Sequence, residues 1–167
     1  DASGNFWLFG GYSLSGYLND LWEYSPTAGT WTWVAGSSST NASGAFPTET
    51  GGAGTPGARS VASGWTDTSG NLWLFGGWGY GTGATTGCLN DFWKSTPSKG
   101  TWTWVDGSSS VQISGTYPSA TGGTGMPGSR FGAAGGTDAS GNLWLFGGYI
   151  YTTNYYYHND LWKYNTK

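Results

Sequence analysis

Charge is scarce in this chain. Its 167 residues carry six basic and nine acidic side chains, for a net charge of −3. That lies far below the usual charged share of about a quarter. No run of basic residues occurs, so neither a nucleic-acid nor an anionic-membrane surface is expected. Cysteine occurs once, at Cys88, which excludes an intrachain disulfide and reads as an incidental loop residue. Histidine also occurs once, at His158. No apolar stretch approaches the ~20 residues needed to span a bilayer, so membrane insertion is not expected. There is no initiator Met and no signal peptide, which reads as a mature form or an excerpt of a longer polypeptide.

Glycine, with 32 residues, and aromatics, with 12 Trp, 11 Tyr and 7 Phe, take the place of the missing charge. A disordered chain has few aromatics and many charges, so disorder is excluded. The glycines keep no period of three, so a collagen helix is excluded too. Abundant Gly, Ser, Thr and aromatic residues fit short strands joined by turns.

The chain repeats itself. Asp1-Ala-Ser-Gly-Asn-Phe-Trp-Leu-Phe-Gly-Gly11 returns from Asp67 to Gly77 and again from Asp138 to Gly148. Leu18-Asn-Asp-Leu-Trp22 returns at Leu89–Trp93 and, with His158 leading, at His158–Trp162. Gly29-Thr-Trp-Thr-Trp-Val34 returns at Gly100–Val105, and Pro56-Gly-Ala-Arg-Ser60 at Pro127–Phe131. Each unit therefore offers four strands. The first is a small-residue strand, Arg59–Thr66 or Arg130–Thr137. The second is an apolar strand ending at the double glycine. The third is Asp-Leu/Phe-Trp, and the fourth is Thr-Trp-Thr-Trp-Val. In the second strand Trp73 and Phe75 point one way while Leu72 and Leu74 point the other. Such a sheet needs cover on both faces, which blades stacked around an axis provide.

The double glycine after an apolar strand, and Tyr24 placed before Trp31, are marks of the Kelch family. The chain resembles it over nearly its whole length, in particular the long-loop, Trp-rich Kelch repeats of secreted and surface bacterial proteins. The second unit departs, with Ser95 where the Tyr should stand before Trp102. The resemblance implies an all-β propeller of four-stranded antiparallel blades, like the central domain of galactose oxidase. About two and a half blades are present. Residues 1–34 hold a partial blade, 35–58 a long loop, 59–105 a full blade, 106–129 a second long loop and 130–167 another partial blade. Ten strands cannot close a ring. Either the chain belongs to a longer polypeptide, or copies join end to end into a ring or a filament.

The connections from strand two to three and from strand four to one are long and variable, which is where binding usually resides on a rigid scaffold. They carry Tyr12, Tyr17, Trp78, Tyr80, Tyr149, Tyr151, Tyr155, Tyr156, Tyr157 and His158. Exposed Tyr and Trp suit a protein or glycan partner; alternatively these rings fold back to cover blade edges. Asn41-Ala-Ser43 is a candidate N-glycosylation site.

Catalytic chemistry finds little support. The copper oxidases of the galactose-oxidase kind need two Tyr and two His, and one His cannot complete that set. His158 reads as a loop or turn-capping residue, and no Ser/His/Asp or paired-Glu arrangement stands out. The Asp-x-Ser-Gly-Asn segments read as hairpin turns, because they lack the further acidic ligands of a calcium loop. Asp20, Asp91 and Asp160, with Arg59 and Arg130, recur at matched positions, which points to a structural task such as strand capping or pairing between blades. No catalytic residue, cofactor or metal is expected. The sequence reads as a non-catalytic, extracellular or cell-surface, bacterial binding or assembly module. A fragment of a Kelch-propeller enzyme and a subunit of an extracellular fibre are the alternatives.

Overall fold

The computed structural model describes residues 1–167, and the protein is all-β. Its strands are β1 (Phe6–Ser13), β2 (Gly16–Ser25), β3 (Thr30–Ala35), β4 (Ala53–Gly54), β5 (Arg59–Ser60), β6 (Ser63–Thr66) and β7 (Leu72–Tyr80). They continue with β8 (Thr86–Thr96), β9 (Thr101–Asp106), β10 (Ala134–Thr137), β11 (Leu143–Phe146), β12 (Tyr149–Tyr151), β13 (Tyr155–Tyr157) and β14 (Leu161–Tyr164). The one helical element is a 3-10 turn over Pro97–Lys99. The strands form small antiparallel sheets, none of them closed. The first has the order β1-β2-β3 and the second β4-β9-β8-β7-β5, with β6 also on β7. The third is β10-β11-β14, with β12-β13 a separate hairpin.

Each repeat turns where expected. Asp67 Oδ1 accepts the backbone N–H of Ser69 and of Asn71, and its Oδ2 accepts Trp73 Nε1–H at 2.8 Å. Asp1 and Asp138 do the same for Trp7 and Trp144. Hydrogen bonds from Asn142 and Trp144 hold the Asp138 carboxyl well below the usual carboxylate range.

The double glycine ends strand two only in the third unit, where β11 stops at Phe146; in the first two it does not. β1 and β7 run through it, with a register shift between Phe9 and Gly11 and between Phe75 and Gly77. Both glycines hold positive φ, 63° at Gly76 and 99° at Gly77, so the pair forms a bulge. A Cβ on Gly76 would stand 2.6 Å from the Arg130 carbonyl oxygen, and Gly77 N–H donates to that oxygen at 2.9 Å. The motif thus brings the second sheet's backbone against the start of the third unit. Strand one is also shorter than expected. Val61, at φ 55°, splits it into β5 and β6, and in the third unit only β10 remains, preceded by the isolated bridge Phe131↔Tyr149.

The three connections from strand two to three hold strand rather than loop: β1 and β2 pair as far as Ser13↔Gly16, and β12 pairs with β13. β7 and β8 extend as a ladder as far as Tyr80↔Thr86, and Cys88 lies fully buried in β8, not in a loop. Tyr151 N–H points at its sulfur, and burial pushes the thiol pKa up. Within 35–58, β4 adds an edge strand to β9.

The core lies between sheets. Leu21 packs with Leu72, Leu74, Trp93 and Trp102, with Trp7 and Phe9 against them. On the opposite face of the second sheet, Trp65, Trp73, Phe75 and Phe92 pack with Leu143 and Leu145. The two-faced strand two therefore behaves as read: Leu72 and Leu74 serve one interface, Trp73 and Phe75 the other. A fully buried side chain of this size contributes about 1.5–3 kcal/mol. Apolar packing between sheets, more than any ion pair, therefore holds the units together.

Candidate functional site

The repeated Leu-Asn-Asp segment of strand three organises each unit. Asn90 accepts Ser108 N–H on its side-chain oxygen and donates to the Pro127 carbonyl, so it ties together both ends of the connection leading to the third unit. Asn19 does the same with Ser37 and Pro56. Sequence reasoning gave these asparagines no role; their recurrence beside the aspartates was the available signal.

The aspartate next to each asparagine receives an arginine. Arg59 donates to both oxygens of Asp91, at 2.5 and 2.7 Å, to the Gly76 carbonyl and to the Gly57 carbonyl. Asp91 also accepts Trp93 Nε1–H at 2.7 Å. Arg130, Asp160 and Trp162 repeat the arrangement, with the Tyr117 hydroxyl donating a further hydrogen bond to Asp160. Burial raises the Asp160 pKa, but Arg130, Tyr117 and Trp162 outweigh it and hold the carboxyl well below the usual range. The expectation of a structural task fits this geometry, and each pair lies within its own unit, not between blades: Arg59 on β5 and Asp91 on β8 stand on either side of β7 in one sheet, whereas Arg130 and Asp160 lie just outside the strands of the third unit.

Asp20 is the exception. It accepts Trp22 Nε1–H at 2.7 Å as its counterparts accept their tryptophans, but it has no arginine.

The aromatic residues predicted on the long connections fall into two groups. Tyr12, Tyr17 and Tyr80 form a chain from the first unit to the second, with ring centroids 4.9 and 6.2 Å apart. Trp78 and Tyr149 pack on Phe131, whose ring lies 4.0 Å from that of Tyr149, while Tyr151 joins the cluster through Trp78, and Tyr155 and Tyr157 through Tyr149. Phe131 was not singled out from the sequence; it follows the repeated arginine where the second unit has Ser60. Tyr156 has no aromatic partner and is exposed, as are Tyr12, Tyr155 and Tyr157.

Asn41 is exposed but engaged. It stands at φ 62°, its Oδ1 accepts Tyr17 N–H, and its amide packs on Gly16. His158 takes the place held by Leu18 and Leu89. Its Nε2 is buried without a hydrogen-bond partner, and burial, with Arg130 nearby, lowers its pKa. No group of three or more His, Cys, Asp or Glu side chains is clustered in the chain.

No family model matches the chain, and no curated protein matches it. Among solved structures, one described as "Structure of YjhT" superposes with a TM-score of 0.51 at 19% identity, over 85% of this chain and 34% of that one. The chain thus spans about a third of that protein, and the likeness is one of fold.

Proposed function

We propose that this chain is a run of Kelch-type propeller blades that serves as a non-catalytic, extracellular binding and assembly module through its two open end sheets. The observation carrying this reading is a change in burial at matched positions. Leu74 is 5% exposed because the first sheet covers it, whereas Leu8, its counterpart on the outer face of the first sheet, is 50% exposed. Phe92 is 6% exposed between the second and third sheets, whereas Leu161, its counterpart on the outer face of the third, is 61% exposed. Side chains chosen for an interface thus stand open at both ends, and exposed apolar patches of this kind mark interaction surfaces. The repeat motifs support the Kelch assignment, and the glycine- and aromatic-rich, charge-poor composition supports a surface location.

Light scattering with electron microscopy on the chain tests the reading. Rings or filaments are expected, and Leu8→Lys or Leu161→Lys should disperse them. A species that stays at 17.5 kDa at high concentration would refute assembly through the ends.

A second reading has its own observation. The β12–β13 hairpin presents Tyr155, Tyr156 and Tyr157 to solvent together, a surface suited to a glycan ring or a protein partner.

A further inference from the structure

The repeats serve as their own reference at the outer edge of β1. In the second and third units a small-residue strand covers that edge: β6 pairs Ser63↔Phe75 through Thr66↔Leu72, and β10 pairs Ala134↔Phe146 through Thr137↔Leu143. In the first unit β1 is an edge strand, bonded only to β2. Three features at this edge have lost the partner that their counterparts possess.

The first is Asp20, which is half-buried and bonded to Trp22 but lacks the arginine that Asp91 and Asp160 hold. The second is the Gly10 carbonyl. Its counterparts at Gly76 and Gly147 each accept an arginine Nη1–H, at 3.0 and 2.9 Å, while no side chain donates to Gly10. The third is Gly64. Its counterpart Gly135 lies directly under the Trp65 indole, so that a Cβ there would stand 2.8 Å from the ring nitrogen. Gly64 itself has no side chain over it and lines an open groove with Phe6, Leu8, Ala62 and Thr66. The residue of the third unit that matches Trp65 is Gly136, which meets nothing within 4 Å. The tryptophan is therefore present where a following sheet lies beneath it and absent where none does.

We infer that the β1 edge is an acceptor site for an extended polypeptide segment from another repeat unit, bearing an arginine and, six residues later, an aromatic side chain. The arginine meets Asp20 and the Gly10 carbonyl, as Arg59 meets Asp91 and the Gly76 carbonyl. The backbone pairs along Phe6–Phe9, and the aromatic ring covers Gly64. Pro56–Thr66 of this chain has that pattern, with Arg59 and Trp65. Both arginine-bearing segments of the chain are already held by their own aspartates, so a folded second copy has none to donate; the occupant is an additional segment. Main-chain pairing supplies affinity in such strand addition, and the charged, bidentate contact supplies register.

This inference rests on the proposal that open blade ends associate, and its test separates the two. A fluorescein-labelled peptide with the sequence of Pro56–Thr66 is titrated into the 167-residue chain and followed by anisotropy. Saturable binding is expected. Arg→Ala in the peptide and Asp20→Asn in the chain should each weaken it by roughly tenfold or more, and the two losses should not add. Binding indifferent to both changes overturns the arginine–Asp20 assignment.

A graft removes the entropic cost of capture in trans. The same segment is placed directly before Asp1, reproducing the Thr66–Asp67 junction. The graft should raise Tm by several degrees, with the gain lost in Asp20→Asn. A graft without effect on Tm overturns the site. If the chain assembles while peptide and graft do nothing, end association stands and this inference fails. If peptide binds to a chain that stays monomeric, the acceptor site stands and self-assembly fails.

Discussion

Arg59 reaches across β7 to Asp91 on β8 and meets both carboxylate oxygens, with neither side chain exposed to solvent. Removing the arginine would leave a buried carboxylate facing Trp93 alone. Arg59→Ala should therefore cost about 3–5 kcal/mol, the usual penalty for breaking one side of a buried pair. Arg130→Ala should cost less, because 17% of the Asp160 side chain is open to water. Urea unfolding midpoints check both the direction and the order; an Arg59→Ala protein as stable as the parent would refute the structural task assigned to the pair.

The double glycine makes a second, separable prediction. Gly76→Ala meets both a left-handed backbone and the Arg130 carbonyl, whereas Gly70→Ala meets a left-handed backbone in open space. The Gly70 change should cost about 1–2 kcal/mol from conformation alone. The Gly76 change should cost clearly more and should loosen the second sheet from the third. Amide exchange at Gly77, whose N–H bonds Arg130, reports that loosening directly. Equal costs at the two positions would mean that the close approach between sheets is not what the glycine serves.

The all-β class was legible because the signals are local and repeated: the Asp-x-Ser-Gly-Asn turn and the two-faced Phe/Leu-Trp-Leu-Phe strand three times each, and the Trp-Thr-Trp strand twice. The structural role of the arginines and aspartates could be inferred because residues recurring at matched positions of two or three units do not mark a single site. Their pairing within a unit could not, since it depends on which segments adjoin. In the first two units the double glycine was misread as a strand end because positive φ at a bulge and at a turn have the same sequence signature. The position of Cys88 was missed for a related reason. The irregular segment Trp78–Leu89 lacks alternation, yet Trp78 pairs with Cys88 in a continued ladder.

Among the loop aromatics, packing and recognition now make opposite forecasts. Tyr149 stacks on Phe131 and touches Tyr155 and Tyr157, so Tyr149→Ala should destabilise the protein by about 2–4 kcal/mol. Tyr156 is exposed and has no ring partner, so Tyr156→Ala should stay within about 0.5 kcal/mol of the parent. Thermal unfolding of the two variants separates rings that build the fold from rings free to meet a ligand. A Tyr156→Ala protein that unfolds as early as Tyr149→Ala would remove the hairpin from consideration as a binding surface.

His158 breaks the repeat at a position where the other two units place leucine, and it should reveal itself through pH. Burial, with Arg130 nearby, favours the neutral imidazole in the folded state and only Asp160 opposes this, so its folded pKa lies below the ordinary value of about 6.5. The titration of such a histidine costs no stability well above pH 6.5. As pH falls below that value, the unfolded chain takes up a proton that the folded chain resists, and stability declines until the folded pKa is passed. Asp160 acts in a separate window. Its folded pKa is also depressed, so its contribution is complete above about pH 4 and is lost only as acid titrates the folded carboxyl. His158→Leu should therefore flatten the stability profile between about pH 6.5 and pH 5 while leaving the steeper acid limb in place. The same variant should be at least as stable as the parent at pH 8, because it also removes a buried nitrogen without a partner. Urea midpoints at pH 8, 6, 5 and 3 decide the matter: an unchanged slope between pH 6.5 and 5 would show that His158 is not the titrating group.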